Sequence, residues 1–203
     1  MNLFRRCLLL CTLGLLVAQP ARAATAPDEL IRQVSVEVIE SVKADKAIQA
    51  GDVARIIQLV DTKVMPHVNF QRMTASAVGR NWRSATPEQQ KRLQEEFKIL
   101  LVRSYAGALT QVKDQTVQLK PMRGNPGDAE VVVRTEVKGK GEPVQLDYRL
   151  EKSGDSWKIY DVNVLGVWLV EQYRVSFNQE ITAGGIDGLI AKLAERNKGT
   201  PKS

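Results

Sequence analysis

Reactive side chains are scarce in this chain. His67 is the single histidine; it follows the helix-breaking Pro66, and no His-Glu-x-x-His or comparable cluster supplies it with the partners a zinc site needs. The two cysteines, Cys7 and Cys11, both fall in an apolar N-terminal stretch that reads as a removed leader. The processed chain then has no disulfide, no thiol nucleophile and no cysteine metal site. There is no Gly-x-Ser-x-Gly elbow and no Gly-x-Gly-x-x-Gly after a strand. Gly124-Asn125-Pro126-Gly127-Asp128 is glycine-rich, but no helix and no Lys-Ser ending follow it, so it reads as a hairpin turn rather than a phosphate loop. Asp161 carries the one enzymatic reading. A curved sheet wrapped by helices forms a cone, and a carboxylate in its apolar cavity, with its pKa raised by burial, can abstract a proton beside a carbonyl. Asp161 alternates in phase with Trp157 and Ile159 and is expected to face inward with them. The plainer reading gives it a hydrogen bond near the strand end.

The elements that position these residues begin after the leader. Arg5 and Arg6 form a positive n-region, Cys7 to Ala18 is an unbroken run of apolar and small residues, and Ala21-Arg22-Ala23 has small residues where a signal peptidase reads them. The expected cut lies between Ala23 and Ala24, giving a signal peptide over 1–23 and an exported chain. The run falls short of the roughly 20 residues that span a bilayer, and Leu10 before Cys11 is too large for a lipoprotein signal. Removing Arg5, Arg6 and Arg22 leaves 26 basic residues against 23 acidic ones. So weak an excess does not call for nucleic acid.

Residues 24–197 suit one domain, with a flexible tail over 198–203. Leu30, Val34, Val38 and Val42 recur every fourth residue and predict a helix ending near Ala44. Asp52 is placed to cap a second helix bearing Val53, Ile56, Ile57, Val60 and Val64, which Pro66 ends. A short helix over about 71–78 follows. Thr86-Pro87-Glu88-Gln89 is a capping box with proline at the first helical position, and it opens the longest helix, running to about Lys113. From Gln115 the period changes to two. Turns at 124–128, 139–141 and 153–155 divide four strands, with Val131, Val133 and Thr135 alternating against charge, as do Leu146, Tyr148 and Leu150. Leu169, Tyr173, Phe177 and Ile181 restore the helical period until Gly184-Gly185, and a last helix covers about 186–196. The predicted class is α+β: a four-stranded antiparallel meander with helices over one face, cone-like around an apolar cavity. From the residues alone, three functions stay open: a carrier of an apolar ligand, a small cavity enzyme using Asp161, and an interaction module whose apolar faces are core.

Two stretches carry a resemblance. The first is Asn81-Trp82-Arg83, Thr86-Pro87-Glu88-Gln89, then Phe97, Leu100, Leu101 and Ser104-Tyr105-Ala106. The second is Tyr160-Asp161-Val162-Asn163-Val164, Gly166-Val167, Tyr173-Arg174, Phe177 and Gly184-Gly185-Ile186-Asp187-Gly188-Leu189-Ile190. In order and spacing they resemble the MlaC family of periplasmic phospholipid-binding proteins, also described as the toluene-tolerance family. The chain departs from that pattern at Trp168, where a small polar residue is expected after Gly-Val.

The resemblance implies a carrier, not an enzyme, with no cofactor and a bound glycerophospholipid as ligand. It implies shuttling between an outer-membrane lipoprotein-porin complex and an inner-membrane ABC transporter complex with an MCE-domain subunit, maintaining outer-membrane lipid asymmetry. The family holds acyl chains between sheet and helices and leaves the head group near the mouth. Exposing on the order of thirty methylenes at about 0.8 kcal/mol each would cost on the order of 24 kcal/mol, so the cavity must be deep, dry and aliphatic. The lipid-binding candidates are the residues expected to face inward: Phe97, Leu101 and Tyr105 from the long helix; Val131, Val133, Leu146 and Tyr148 from the strands; and Val164, Leu165, Val167, Trp168 and Tyr173 beyond. Each could equally be plain core. Arg174 is a candidate for a phosphate or partner contact, or for an internal salt bridge.

Overall fold

A computed structural model describes residues 25–122 and 127–199. The leader, its cut between Ala23 and Ala24, the first three residues of the 124–128 turn and the end of the tail lie outside the described residues.

Most of the α-helices begin where the sequence supplies a side-chain cap. Helix α1 (Pro27–Ala44) has proline at its start and Asp28 and Glu29 in its first turn, where carboxylates favour the helix dipole. The short α2 (Lys46–Gln49), which the apolar period did not reveal, exists because Asp45 accepts from the Ala47 and Ile48 amides. Asp52 caps α3 (Val53–Leu59) as expected, and the chain widens into one π turn over Val60–Val64 before a 3-10 turn containing Pro66. Asn69 caps α4 (Phe70–Val78). Its own N–H donates to the Ile159 carbonyl at 2.8 Å, tying this helix start to the sheet. A 3-10 segment, Gly79–Ser84, leads to α5 (Pro87–Thr110), whose capping box is complete in both directions between Thr86 and Gln89.

The sheet is antiparallel throughout, in the order β1 (Thr116–Leu119), β2 (Glu130–Lys138), β3 (Val144–Ser153), β4 (Ser156–Val164) and β5 (Val167–Trp168). The expected meander is present with one strand added. Leu165 and Gly166, both at positive φ (52° and 90°), turn the chain within two residues, so Val167 and Trp168 pair back on β4. Helix α6 (Leu169–Lys198) contains the predicted break at Gly185, whose φ of 69° and ψ of −170° kink it.

The apolar interior is divided into three clusters. Leu30, Ile31 and Val34 of α1 pack on Val131, Val133, Leu150, Trp157 and Ile159 of the sheet. Phe70 and Met73 of α4, Leu93 and Phe97 of α5, and Phe177 and Leu189 of α6 belong to a second cluster. Val42, Ile48, Ile56, Val102 and Ala106 form a third, between the first three helices and the far end of α5.

Candidate functional site

The register determines which strand residues share the helix-covered face. Val131, Val133 and Thr135 pair with Leu150, Tyr148 and Leu146, and the last two pair in turn with Val162 and Val164. Along this face burial is uneven. Val131, Val133 and Leu150 are fully buried beneath α1, whereas Leu146, Tyr148, Val162 and Val164 are only half-buried. Tyr148 shows what this means. Burial pushes its pKa up, against a lowering by the nearby Thr135 and Ser35 hydroxyls, yet the residue keeps accessible surface.

The opposing wall comes from α5 and α6. Phe97 has no exposed surface and sits edge-on to Tyr173 and Phe177, with ring centroids 5.0 Å away in both cases. Leu101 and Tyr173 pack on this aromatic cluster but remain half-buried. Tyr105, one turn beyond Leu101, has its pKa raised by burial and further by the nearby Tyr173. Val68 and Val162 pack against both the sheet cluster and the aromatic cluster, and Val38 bridges the sheet cluster and the third cluster. These three side chains mark the seam between the clusters.

The structure therefore sorts the sequence candidates. Phe97, Leu101, Tyr105 and Tyr173 are on the helical wall, and Val131, Val133, Leu146, Tyr148 and Val164 are on the covered sheet face. Three candidates fall elsewhere. Leu165 and Val167, expected to face inward, lie at the two-residue hairpin and are 67% and 49% exposed. Trp168 pairs with Asn163, on the opposite face of the sheet, and the Arg149 guanidinium stacks 3.8 Å from its ring centroid. Trp168 thus neither narrows nor lines the covered side.

Asp161, expected to face inward with Trp157 and Ile159, also lies on the opposite face. Leu150 pairs with Ile159 but Arg149 pairs with Asp161, so Tyr160 is the extra residue of a bulge and Asp161 turns away from Trp157 and Ile159. That bulge also brings Val162, absent from the sequence candidates, onto the covered face. No sequence signal marks it, because strict alternation is the default for a strand. Asp161 is 1% exposed, and both its carboxylate oxygens accept hydrogen bonds. Oδ1 accepts from the Val162 and Val170 amides at 2.9 and 3.1 Å, and Oδ2 accepts from Arg149 at 3.1 Å. Burial raises its pKa, against the lowering by those amides and by Arg149. The Trp168 side chain makes no capping bond at the start of α6, so Asp161 supplies that bond from the neighbouring strand.

His67 is half-buried, and burial and Lys158 lower its pKa. Among the described residues no group of three or more His, Cys, Asp and Glu side chains could hold a metal ion, and no helix is long and apolar enough to cross a membrane. What the geometry offers is an apolar seam bordered by the half-buried Tyr105, Tyr148 and Tyr173.

That architecture is one of a lipid-binding class. The model of the MlaC protein family matches residues 32–195, and the chain belongs to this family. It is similar to the intermembrane phospholipid transport system binding protein MlaC of Haemophilus influenzae, with 25% identity over 184 residues covering 89% of this chain and 86% of that one. It is also similar to the toluene tolerance protein ttg2D of Pseudomonas putida, with 26% identity over 188 residues covering 89% and 87%. Among solved structures, the phospholipid-binding protein of Ralstonia solanacearum, in complex with a phospholipid, superposes with a TM-score of 0.81 at 46% identity, covering 84% of this chain and 96% of that one.

Proposed function

We propose that this chain is a periplasmic phospholipid carrier whose acyl-chain site is the seam between the sheet cluster and the aromatic cluster. The observation that carries the reading is the uneven burial of one sheet face. Leu146, Tyr148, Val162 and Val164 point to the covered side without being packed shut, and so do Leu101, Tyr105 and Tyr173 across from them. A filled core would leave no such surface. Phe97, Val131 and Val133 are the rigid layer behind this lining. A relative solved with a phospholipid, 46% identical over most of its length, supports the same ligand here.

In this reading the chain is a carrier without catalytic chemistry: Asp161 is consumed by helix capping, and apolar burial needs few directional groups. Residues 1–23 are a cleaved signal peptide and 24–197 are the lipid-binding domain; of the tail expected over 198–203, Lys198 is still helical, as the last residue of α6. The partners are an outer-membrane lipoprotein-porin complex and an inner-membrane ABC transporter complex with an MCE-domain subunit, between which lipid moves to maintain outer-membrane asymmetry.

Native mass spectrometry of the mature protein from a bacterial periplasm, followed by organic extraction, tests the reading. About one phospholipid per chain is expected. A chain that is lipid-free as purified and takes none from vesicles would refute the carrier function.

A further inference from the structure

One surface hollow lies apart from the seam's sheet wall. It has a volume of about 740 Å³ and opens where the Gly79–Ser84 segment meets the first half of α6, with Arg80, Asn81, Arg174, Asn178 and Ile181 around Gly79. Two of the stretches that mark the family, Asn81-Trp82-Arg83 and Tyr173-Arg174, are remote in sequence and converge here.

Its charge is one-sided. Arg80 and Arg174 are both exposed, and among the described residues no acidic side chain lines the hollow. Among the described residues Arg80 makes no hydrogen bond and no ion pair. Arg174 donates only through Nε, to the Ser76 carbonyl at 3.0 Å, which fixes the side chain and leaves both terminal nitrogens free. The internal salt bridge considered for Arg174 is not formed among the described residues. The Asn81 and Asn178 amides are 3.5 Å apart, at the limit of a hydrogen bond, so the Asn81 N–H groups remain available to a better acceptor. Gly79, at φ 69° and ψ −142°, adopts a backbone that side-chain-bearing residues avoid, and a Cβ there would meet nothing within 4 Å. The hollow is thus open on that side. One lining side chain is apolar: Ile181 is half-buried and packs on the aromatic cluster, to which Tyr173, the neighbour of Arg174 in α6, also belongs.

Two forked guanidinium groups and an amide donor around a concave space match the oxygens of a phosphate, which accept several hydrogen bonds from different directions. We infer that this hollow binds a phosphate group through Arg80, Arg174 and Asn81, and that in the loaded carrier this is the phosphate of the bound phospholipid. The assignment to lipid rests on the carrier reading. Ile181 favours it, since it packs on the same aromatic cluster as Tyr173 and so sets the hollow beside the apolar interior. Free phosphate presents the same chemistry, so the two sources are tested separately.

The experiment uses full-length mature protein, Arg80→Gln, and the double variant Arg80→Gln/Arg174→Gln. Arg80→Gln is the safe probe because it breaks no internal bond. Each protein is loaded from vesicles of phosphatidylethanolamine and phosphatidylglycerol, and the ³¹P resonance of the bound lipid is recorded. Lipid-free protein is titrated with inorganic phosphate. The lipid resonance is expected to shift in Arg80→Gln and further in the double variant, with return of lipid to vesicles faster by about tenfold, the scale of a lost charge-assisted hydrogen bond. Inorganic phosphate binding that depends on Arg80 while the lipid resonance stays put would keep the phosphate site and reassign it to the free ion. Wild-type protein that takes up no lipid but binds phosphate through Arg80 would refute the carrier reading and keep the site. Identical lipid resonances in all three proteins, with no phosphate binding, would overturn the inference.

Discussion

Replacing Asp161 by alanine removes three hydrogen bonds from one carboxylate that is 1% exposed. Loss of the bond to the Val170 amide uncaps α6 and costs about 1 kcal/mol. The charge-assisted bond to Arg149 contributes roughly 1.5–3 kcal/mol in a buried setting. The Arg149 side chain is 39% exposed and regains water, so the lower end applies. Relief of the carboxylate's burial offsets part of the total. The expected loss is ~2–3 kcal/mol, or a fall in Tm of about 4–12 °C for a chain of this size. Asp161→Asn keeps one acceptor but turns an amide donor toward the amides or toward Arg149, and should lose about half as much. Thermal and urea unfolding followed by circular dichroism measure both variants, with bound lipid extracted from the folded fraction. The folded pKa of Asp161 is raised above 3.8. Its contribution therefore grows as pH falls from above the folded pKa to below the unfolded one, and Asp161→Asn should lose that segment of the pH profile. An alanine variant within about 0.5 kcal/mol of wild type would refute the capping role. A stable variant that lost a measurable turnover would restore the enzymatic reading.

Four further outcomes follow from the packing. Leu101→Trp, at a half-buried lining position, should lower co-purified lipid in native mass spectra while leaving the urea midpoint near wild type; undiminished lipid would remove Leu101 from the site. Phe97→Ala, at the centre of the aromatic cluster, should cost about 3–5 kcal/mol in urea unfolding, because it leaves a cavity among rings that cannot all close in. Thr86→Ala should cost ~1 kcal/mol by breaking the reciprocal capping box, and a loss near zero would mean that tertiary packing alone holds the start of α5. Glu130, hydrogen-bonded by Arg72 and Tyr160, has its pKa lowered from 4.5. Its contribution is present above the unfolded pKa and lost as pH falls through the folded one, so Glu130→Gln should flatten stability against pH below about 4.5.

Caps and periods carried much of the fold in the sequence. Asp52, the Thr86-Gln89 box, the turns after β2 and β3, and Gly185 all act through residues within a few positions of themselves, so their effects follow from local backbone chemistry. The α+β class and the meander follow from hydrophobic period in the same way. Asp45 was equally legible as a cap, but α2 is too short to show an apolar period.

Three things were decided only by tertiary structure. The bulge at Tyr160 depends on the pairing of β4 with β3, and it reverses the faces of Asp161 and Val162 relative to strict alternation. The two-residue turn at Leu165-Gly166 places a leucine in the left-handed region, a conformation that its residue type argues against and that the β4–β5 pairing imposes; this turns Leu165 and Val167 outward and sets Trp168 on the far face. The convergence of Arg80 and Arg174 on one hollow depends on how α4 and the segment after it meet α6. Sequence period reports which side of an element is apolar, because that is a property of one element. Whether apolar sides meet as a filled core or as a seam depends on the distance between elements, and only the assembled fold contains it.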